Sequence, residues 1–199
     1  EQRINGKWYY FDTVSGAMVT GFHEFEAKTV CYGSDGAMLY GEQRINGKWY
    51  YFDTVSGAMV TGFHEFEAKT VCYGSDGAML YGEQRINGKW YYFDTVSGAM
   101  ATGFHELSSK TVYYDLDGVM LYGQQLIEGK WYYFNPTTGA LIEEPGWVME
   151  DGKVYYYTAD GKVTGEKNIE GKWYYFDSYE DGAMVTGFYK LPTKTVYYC

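Results

Sequence analysis

Residues 1–41 recur without a single change as residues 42–82, and residues 83–123 repeat them with eight substitutions. Residues 124–165 and 166–199 are more diverged copies, the last one truncated. Repetition at a fixed period constrains the fold more than any local propensity does. Each unit must be a small supersecondary element that buries its apolar face against the next one. We therefore read residues 1–199 as one repeat domain with units 1–41, 42–82, 83–123, 124–165 and 166–199.

Within the unit, Gly6-Lys7-Trp8-Tyr9-Tyr10-Phe11-Asp12 is the stretch that stands out. It returns at Gly47–Asp53, Gly88–Asp94 and Gly171–Asp177, and as Gly129–Asn135 with only its last residue changed. Strand side chains alternate between faces, so Trp8 and Tyr10 share one face while Tyr9 and Phe11 share the other. A half-exposed strand would give one face to polar residues. Four aromatics in a row require apolar company on both. One face serves a core, and the other must meet a neighbouring repeat or a ligand.

Each unit divides into two hairpins. In the first, Glu1–Ile4 and Lys7–Asp12 flank Asn5-Gly6, the two-residue signal for a type I′ turn. In the second, Phe22–Phe25 and Thr29–Tyr32 flank a looser turn through Glu26-Ala27-Lys28. The connectors Thr13–Thr20 and Gly33–Tyr40 each carry Gly-Ala-Met. The connector position held by Met18, Met38, Met59, Met79, Met100, Met120 and Met184 becomes Leu141 and Val163 in the diverged copies. Such an exchange marks a buried, shape-tolerant site. Ten hairpins result, the last incomplete, and because an isolated hairpin is marginal in water each must stack on its neighbour. The predicted fold is all-β, a β-solenoid of tandem β-hairpins.

Composition narrows the function. The 24 Tyr, 26 Gly and only 3 Pro suit short strands joined by glycine turns rather than helical bundles. A net charge of −10 disfavours nucleic acid, whose phosphates require tracks of Lys and Arg. No apolar run is long enough to predict a membrane span. Nor does a signal segment open the chain, which reads as an excised fragment. Cys31 and Cys72 stand where the third unit has Tyr113, and with Cys199 they make an odd count that argues against a disulfide framework and against zinc. We expect Cys31 and Cys72, two hairpins apart, not to be bonded to each other.

The register of Gly-x-Trp-Tyr-Tyr-Phe, Gly-x-Met and Thr-Gly-aromatic over Gly6–Phe22, Gly47–Phe63, Gly88–Phe104 and Gly171–Phe188 resembles the cell-wall-binding repeat family. Its members include choline-binding modules of bacterial wall hydrolases and surface proteins, and related glucan-binding repeats. The resemblance covers the whole chain. It implies a left-handed solenoid of hairpins that holds choline between consecutive hairpins in aromatic cages. It also implies a secreted, cell-surface protein whose partner is choline of teichoic acid or an α-glucan.

Carried over by position, the ligand-binding candidates are Trp8, Trp49, Trp90, Trp131 and Trp173 from the Trp-Tyr-Tyr strands. The post-glycine aromatics Phe22, Phe63, Phe104, Trp147 and Phe188 join them, with Tyr10, Tyr51, Tyr92, Tyr133 and Tyr175 as walls on the tryptophans' strand face. A quaternary ammonium donates no hydrogen bond and is held by ring quadrupoles, each ring worth about 0.5–2 kcal/mol. Several weak sites facing a repetitive polymer multiply into avidity. At the alternate glycine steps Glu42, Glu83, Gln124 and Glu166 replace the aromatic, so we expect at most one cage per 41 residues, some of them closed.

Catalysis is not expected. His23, His64 and His105 recur with the repeat and have no fixed Ser or Cys partner. Asp115-Leu116-Asp117-Gly118 resembles a calcium loop but lacks the remaining ligands, so no metal or cofactor is predicted. Glu143-Glu144 beside Pro145 reads as a solvated loop rather than a glycosidase pair. The end hairpins carry no polar cap, which predicts end-to-end association or a homodimer. A ligand-free stalk is the remaining alternative, in which all these rings would serve packing alone.

Overall fold

The computed structural model describes residues 1–142, 146–150, 152–158 and 161–198. Glu143, Glu144 and Pro145, read above as a solvated loop, and Cys199 lie outside the described residues. The chain divides into two compact units, Glu1–Ala101 and Thr102–Cys199.

Unit 1 contains five antiparallel hairpins. They pair Gln2–Ile4 with Lys7–Tyr9, Gly21–Phe25 with Lys28–Tyr32, Gly41–Ile45 with Lys48–Phe52, Gly62–Phe66 with Lys69–Tyr73, and Gly82–Ile86 with Lys89–Phe93. Unit 2 contains five more. They pair Gly103–Leu107 with Lys110–Tyr114, Gly123–Ile127 with Lys130–Phe134, Gly146–Glu150 with Lys153–Thr158, Gly165–Ile169 with Lys172–Asp177, and Gly187–Lys190 with Thr195–Tyr198. A single 3-10 turn, Ser178–Glu180, is the only helical element among the described residues. No helix among them is long and apolar enough to cross a membrane. The architecture is all-β, made of tandem hairpins as the sequence indicates.

The hairpin turns follow from their residues. Asn5 and Gly6 take φ of 50° and 81°, the pair of left-handed conformations a type I′ turn requires. The second hairpin differs from expectation. Phe25 pairs with Lys28, so its turn holds only Glu26 and Ala27 and is as tight as Asn-Gly. Neither of those residues has positive φ, which is why the position dispenses with glycine.

In unit 2, Glu128 and Glu170 occupy the Asn position with φ of 50° and 51°, a conformation that costs most side chains about 1–2 kcal/mol but asparagine less. Glu128→Asn and Glu170→Asn are each expected to raise stability by roughly 0.5–1 kcal/mol. Urea unfolding midpoints compared with the parent chain check this.

The connectors prove to be more than loops. Met18 bridges back to Phe11, Met38 to Tyr32, Met59 to Phe52 and Met79 to Tyr73, which gives each hairpin a rudimentary third strand. In unit 2 the bridge grows into true short strands, Gly161–Lys162 against Tyr157–Thr158 and Ala183–Met184 against Phe176–Asp177.

The same methionines fasten one hairpin to the next. The Met38 amide donates to the Trp8 carbonyl at 2.8 Å, Met59 to Thr29 at 2.7 Å, Met79 to Trp49 at 2.8 Å and Met100 to Thr70 at 2.8 Å. Each methionine side chain then lies over the glycine of the following connector. A Cβ added at Gly36 would stand 2.2 Å from Met18 Sδ, and one at Gly57 would stand 2.4 Å from Met38 Sδ. The Gly-x-Met motif therefore encodes a stacked interior column. Glycine admits the preceding methionine, and its own methionine fills the next step.

A second column supplies most of the core. The last aromatic of seven second strands is sealed from water: Tyr32, Phe52, Tyr73 and Phe93 in unit 1, and Tyr114, Phe134 and Phe176 in unit 2. Val30, Val71 and Val112 are fully buried as well. Burying each such ring contributes about 2–3 kcal/mol. One face of the four consecutive aromatics thus serves the core, as the sequence requires.

Asp12 and Asp53 set the first connector of each repeat. Their carboxylates accept from the Ser15 and Ser56 hydroxyls at 2.6 Å and from the Ser15 and Ser56 amides at 2.7 Å. These bonds, the hydroxyl's first, hold both carboxyls below their usual 3.8. The folded-state pKa is depressed, so the contribution of these bonds is complete above the unfolded pKa and is lost as pH falls from there through the folded one.

Candidate ligand-binding site

Cross-strand register places an aromatic corner in every second hairpin. Phe22 faces Cys31, Phe63 faces Cys72, Phe104 faces Tyr113, Trp147 faces Tyr156, and Phe188 faces Tyr197. The next hairpin adds a ring from the first tyrosine of its Trp-Tyr-Tyr-Phe strand. Phe22 meets Tyr50 at 5.1 Å between centroids, Phe63 meets Tyr91 at 5.1 Å, Phe104 meets Tyr132 at 5.0 Å and Trp147 meets Tyr174 at 4.8 Å.

Two of these corners are complete. At Trp147, Tyr156 stands 4.9 Å away and both tyrosines are inclined 69° to the indole. At Phe104, Tyr113 stands 4.9 Å away at 82° and Tyr132 at 61°. Steeply inclined rings in edge contact form the walls of a corner rather than a parallel stack. Trp147 and Phe104 remain 44% and 45% exposed, so the corners open to solvent. This geometry suits a compact cation, which is attracted to several ring faces at once. Lys130 Nζ already lies 5.0 Å from the Tyr132 centroid, an internal example of that attraction.

The other two corners have lost a wall. Where Cys31 and Cys72 stand, the following tyrosines sink inward: Tyr50 and Tyr91 are only 8% and 9% exposed, whereas Tyr132 and Tyr174 are half-buried. Cys31 packs with Tyr50, Phe52 and Ala78, so the thiol has drawn the next ring into the core. Both thiols are free and buried, and burial pushes their pKa up, which keeps them protonated and inert.

The tyrosines predicted as cage walls lie elsewhere. Tyr10 sits 4.4 Å from His23, 5.2 Å from Phe25 and 6.4 Å from Tyr32, and Tyr51 repeats this with His64, Phe66 and Tyr73. Tyr133 is buried 6.3 Å from Tyr157, and Tyr175 lies 4.8 Å from Tyr189 and 5.8 Å from Tyr198. Tyr92, opposite Glu83, is half-buried. The recurring histidines are thus packing rings between hairpins.

The strand tryptophans Trp8, Trp49, Trp90, Trp131 and Trp173 are all exposed. Trp8 and Trp49 line two grooves with Tyr40 and Tyr81, not with Phe22 or Phe63. Sequence reasoning missed Tyr113, Tyr132, Tyr156 and Tyr174. The available signal was the fixed offset of nine residues from Phe104 to Tyr113 and from Trp147 to Tyr156, the span of one tight hairpin.

Asp115, in the stretch resembling a calcium loop, accepts from the Asp117 and Val119 amides at 2.9 and 2.8 Å, which makes it a turn-former.

Comparison with known proteins bears on this arrangement. The choline-binding repeat family matches residues 19–62, 60–103, 101–144 and 163–199, and a family of cell wall binding repeats matches residues 2–18 and 146–163. Among solved structures, choline binding protein F of Streptococcus pneumoniae, crystallised in the presence of a peptidoglycan analogue, is 31% identical. That match covers 91% of this chain and 70% of that one, with a TM-score of 0.56. The same protein in complex with ipratropium matches at 29% identity over 100% and 76% of the two chains, with a TM-score of 0.52. CbpJ of S. pneumoniae TIGR4 shares the fold at 23% identity, over 99% and 90%, with a TM-score of 0.55. No curated protein sequence matches significantly.

Proposed function

The chain belongs to the choline-binding repeat family and is a cell-wall choline-binding module, and from that premise we propose that its ligand is held at the open three-ring corners Trp147–Tyr156–Tyr174 and Phe104–Tyr113–Tyr132. The single observation that carries this reading is the Trp147 corner: an exposed indole walled by two steeply inclined phenols, one from its own hairpin and one from the next. Choline presents a trimethylammonium that no hydrogen bond can satisfy, so ring faces are its natural receptor.

Each corner on its own is weak. Two of them facing the repeated choline groups of a teichoic acid reinforce one another, because the second contact becomes intramolecular. In this reading the module has no catalytic activity of its own. It works at the bacterial surface after secretion, and tethers whatever it is joined to.

Calorimetry with choline and with dextran tests the proposal. Heat from choline that is lost in a Trp147→Ala, Phe104→Ala double variant is the expected result. Choline heat that survives the double variant unchanged would place the receptor elsewhere.

The cysteine corners give a sharper test. Cys31→Tyr and Cys72→Tyr restore the ring that Tyr113 provides in the third unit, and are expected to add bound choline per chain. An unchanged stoichiometry in equilibrium dialysis with intact folding counts against the corner as the receptor.

A further inference from the structure

The residue two places beyond each post-glycine aromatic changes its charge along the chain. Glu24, Glu65 and Glu106 follow Phe22, Phe63 and Phe104, whereas Met149 follows Trp147 and Lys190 follows Phe188. Alternation along a strand puts each pair on one face, and in every case both members are exposed. Resting on the reading of the three-ring corners as cation receptors, we propose that this position sets which cation a corner takes. Glu106 fits the Phe104 corner for a protonated primary amine as well as for choline, and Met149 restricts the Trp147 corner to a fully methylated ammonium.

The difference turns on N–H groups. A trimethylammonium carries its charge behind methyls and asks only for ring faces and apolar neighbours. A primary ammonium carries three N–H donors, and taking it out of water against rings alone leaves them unsatisfied. A carboxylate beside the rings makes good that loss with a charge-assisted hydrogen bond. Residues two apart in a strand stand about 6.5 Å from each other, a gap the glutamate side chain spans. An ammonium seated against Phe104 is therefore within reach of the Glu106 carboxylate. At the Trp147 corner the same place holds the thioether of Met149, 71% exposed, which offers apolar contact and no strong acceptor.

Charge already present at the Phe104 corner points the same way. Lys130 Nζ, 5.0 Å from the Tyr132 centroid, sets a like charge beside any incoming cation, and Glu106 supplies the opposing one. Beside the Phe188–Tyr197 pair, Lys190 supplies a positive charge instead, and no cation is expected to settle there. One strand position thus grades the corners from acidic through neutral to basic.

Calorimetric titration separates the corners in two variants of the full chain: Trp147→Ala keeps the Phe104 corner, and Phe104→Ala keeps the Trp147 corner. The probes are choline, ethanolamine, which is choline without its methyls, and an Nα-acetylated lysine methylamide, standing for the free amine of a peptide. The Phe104 corner is expected to bind at least one of the two amines within about threefold of choline, and the one bound better identifies the source of the amine. The Trp147 corner is expected to prefer choline to both by about tenfold or more. Adding Glu106→Gln to the first variant should weaken amine binding roughly tenfold and choline by no more than about threefold. Adding Met149→Glu to the second should confer amine binding on the Trp147 corner. Both substituted positions are exposed, so the fold should survive, and far-UV circular dichroism checks that. A choline-to-amine ratio unchanged by either substitution overturns the proposal. Choline heat that persists in the Trp147→Ala, Phe104→Ala double variant overturns the corner reading itself, so the two failures are told apart.

Discussion

Trp147→Ala is expected to weaken choline binding at its corner by tenfold or more. The indole is the strongest of the ring types for holding a cation, at about 1–2 kcal/mol when partly desolvated, and 1.4 kcal/mol corresponds to a factor of ten. Its removal also separates Tyr156 from Tyr174, each of which touches the indole at under 5 Å. The loss therefore exceeds one ring's share. Trp147→Phe, by contrast, reproduces the Phe104 corner and is expected to lose only severalfold. Because Trp147 is exposed on its outer face, the alanine variant should keep its fold, and far-UV circular dichroism checks that. Calorimetric titration with choline measures the rest. An alanine variant binding as well as the parent would remove the corner from the account of function.

The largest stability effect is expected at the interior glycines. Gly57→Val should cost about 3 kcal/mol or more, from two sources that add. Gly57 has φ of 67°, a conformation that costs a side chain about 1–2 kcal/mol and a β-branched one most of all. Its Cβ would also lie 2.4 Å from Met38 Sδ and 3.1 Å from Met38 Cγ, an overpacking worth about 1–3 kcal/mol. Gly47 separates the two terms. It has φ of 83° but nothing within 4 Å of an added Cβ, so Gly47→Ala isolates the backbone cost. Adding Met38→Ala to Gly57→Ala should recover part of the loss, because the smaller side chain vacates the space. Urea unfolding of the parent, Met38→Ala, Gly57→Ala and the double variant measures the coupling. Strict additivity would mean that the methionine and glycine do not stack.

Much of the fold was legible because repetition does the work of many independent observations. Asn5-Gly6 fixed a turn type, the Met-to-Leu exchange at Leu141 marked the connector position that bridges back to its hairpin, and the alternation of glycine and aromatic residues set ten hairpins. Val163 was misplaced, because Lys162 pairs with Tyr157 where Met184 pairs with Phe176. The site was legible only in part. Strand parity correctly separates Trp49 and Tyr51 from Tyr50 and Phe52, but parity does not say which pair meets the following hairpin. That is decided by the path of the connector, which depends on Gly57 accepting Met38 and on Asp53 capping Ser56, bonds invisible to a pattern of apolar residues. The post-glycine aromatics Phe22, Phe63, Phe104 and Trp147 each meet a ring of the following hairpin. Tyr10 and Tyr51, assigned to a cage, pack instead against the histidines of the next hairpin. The cysteine at the tyrosine position was also visible in the sequence. Its consequence, the inward collapse of Tyr50 and Tyr91, requires coordinates because it depends on who fills a vacated volume.

A recurring set of ties between successive hairpins reaches about the same distance along the chain: Lys28 to Ser56, Lys69 to Ser97 and Lys110 to Thr138 at 28 residues, Tyr198 to Glu166 at 32. A segment in the middle thus answers only to the segments on either side. Adding or removing a whole 41-residue repeat among residues 1–82 therefore creates no unfamiliar junction, because each new neighbour is the one already present. The length of the array thus changes in whole steps of 41 residues, with the interior of every step already packed.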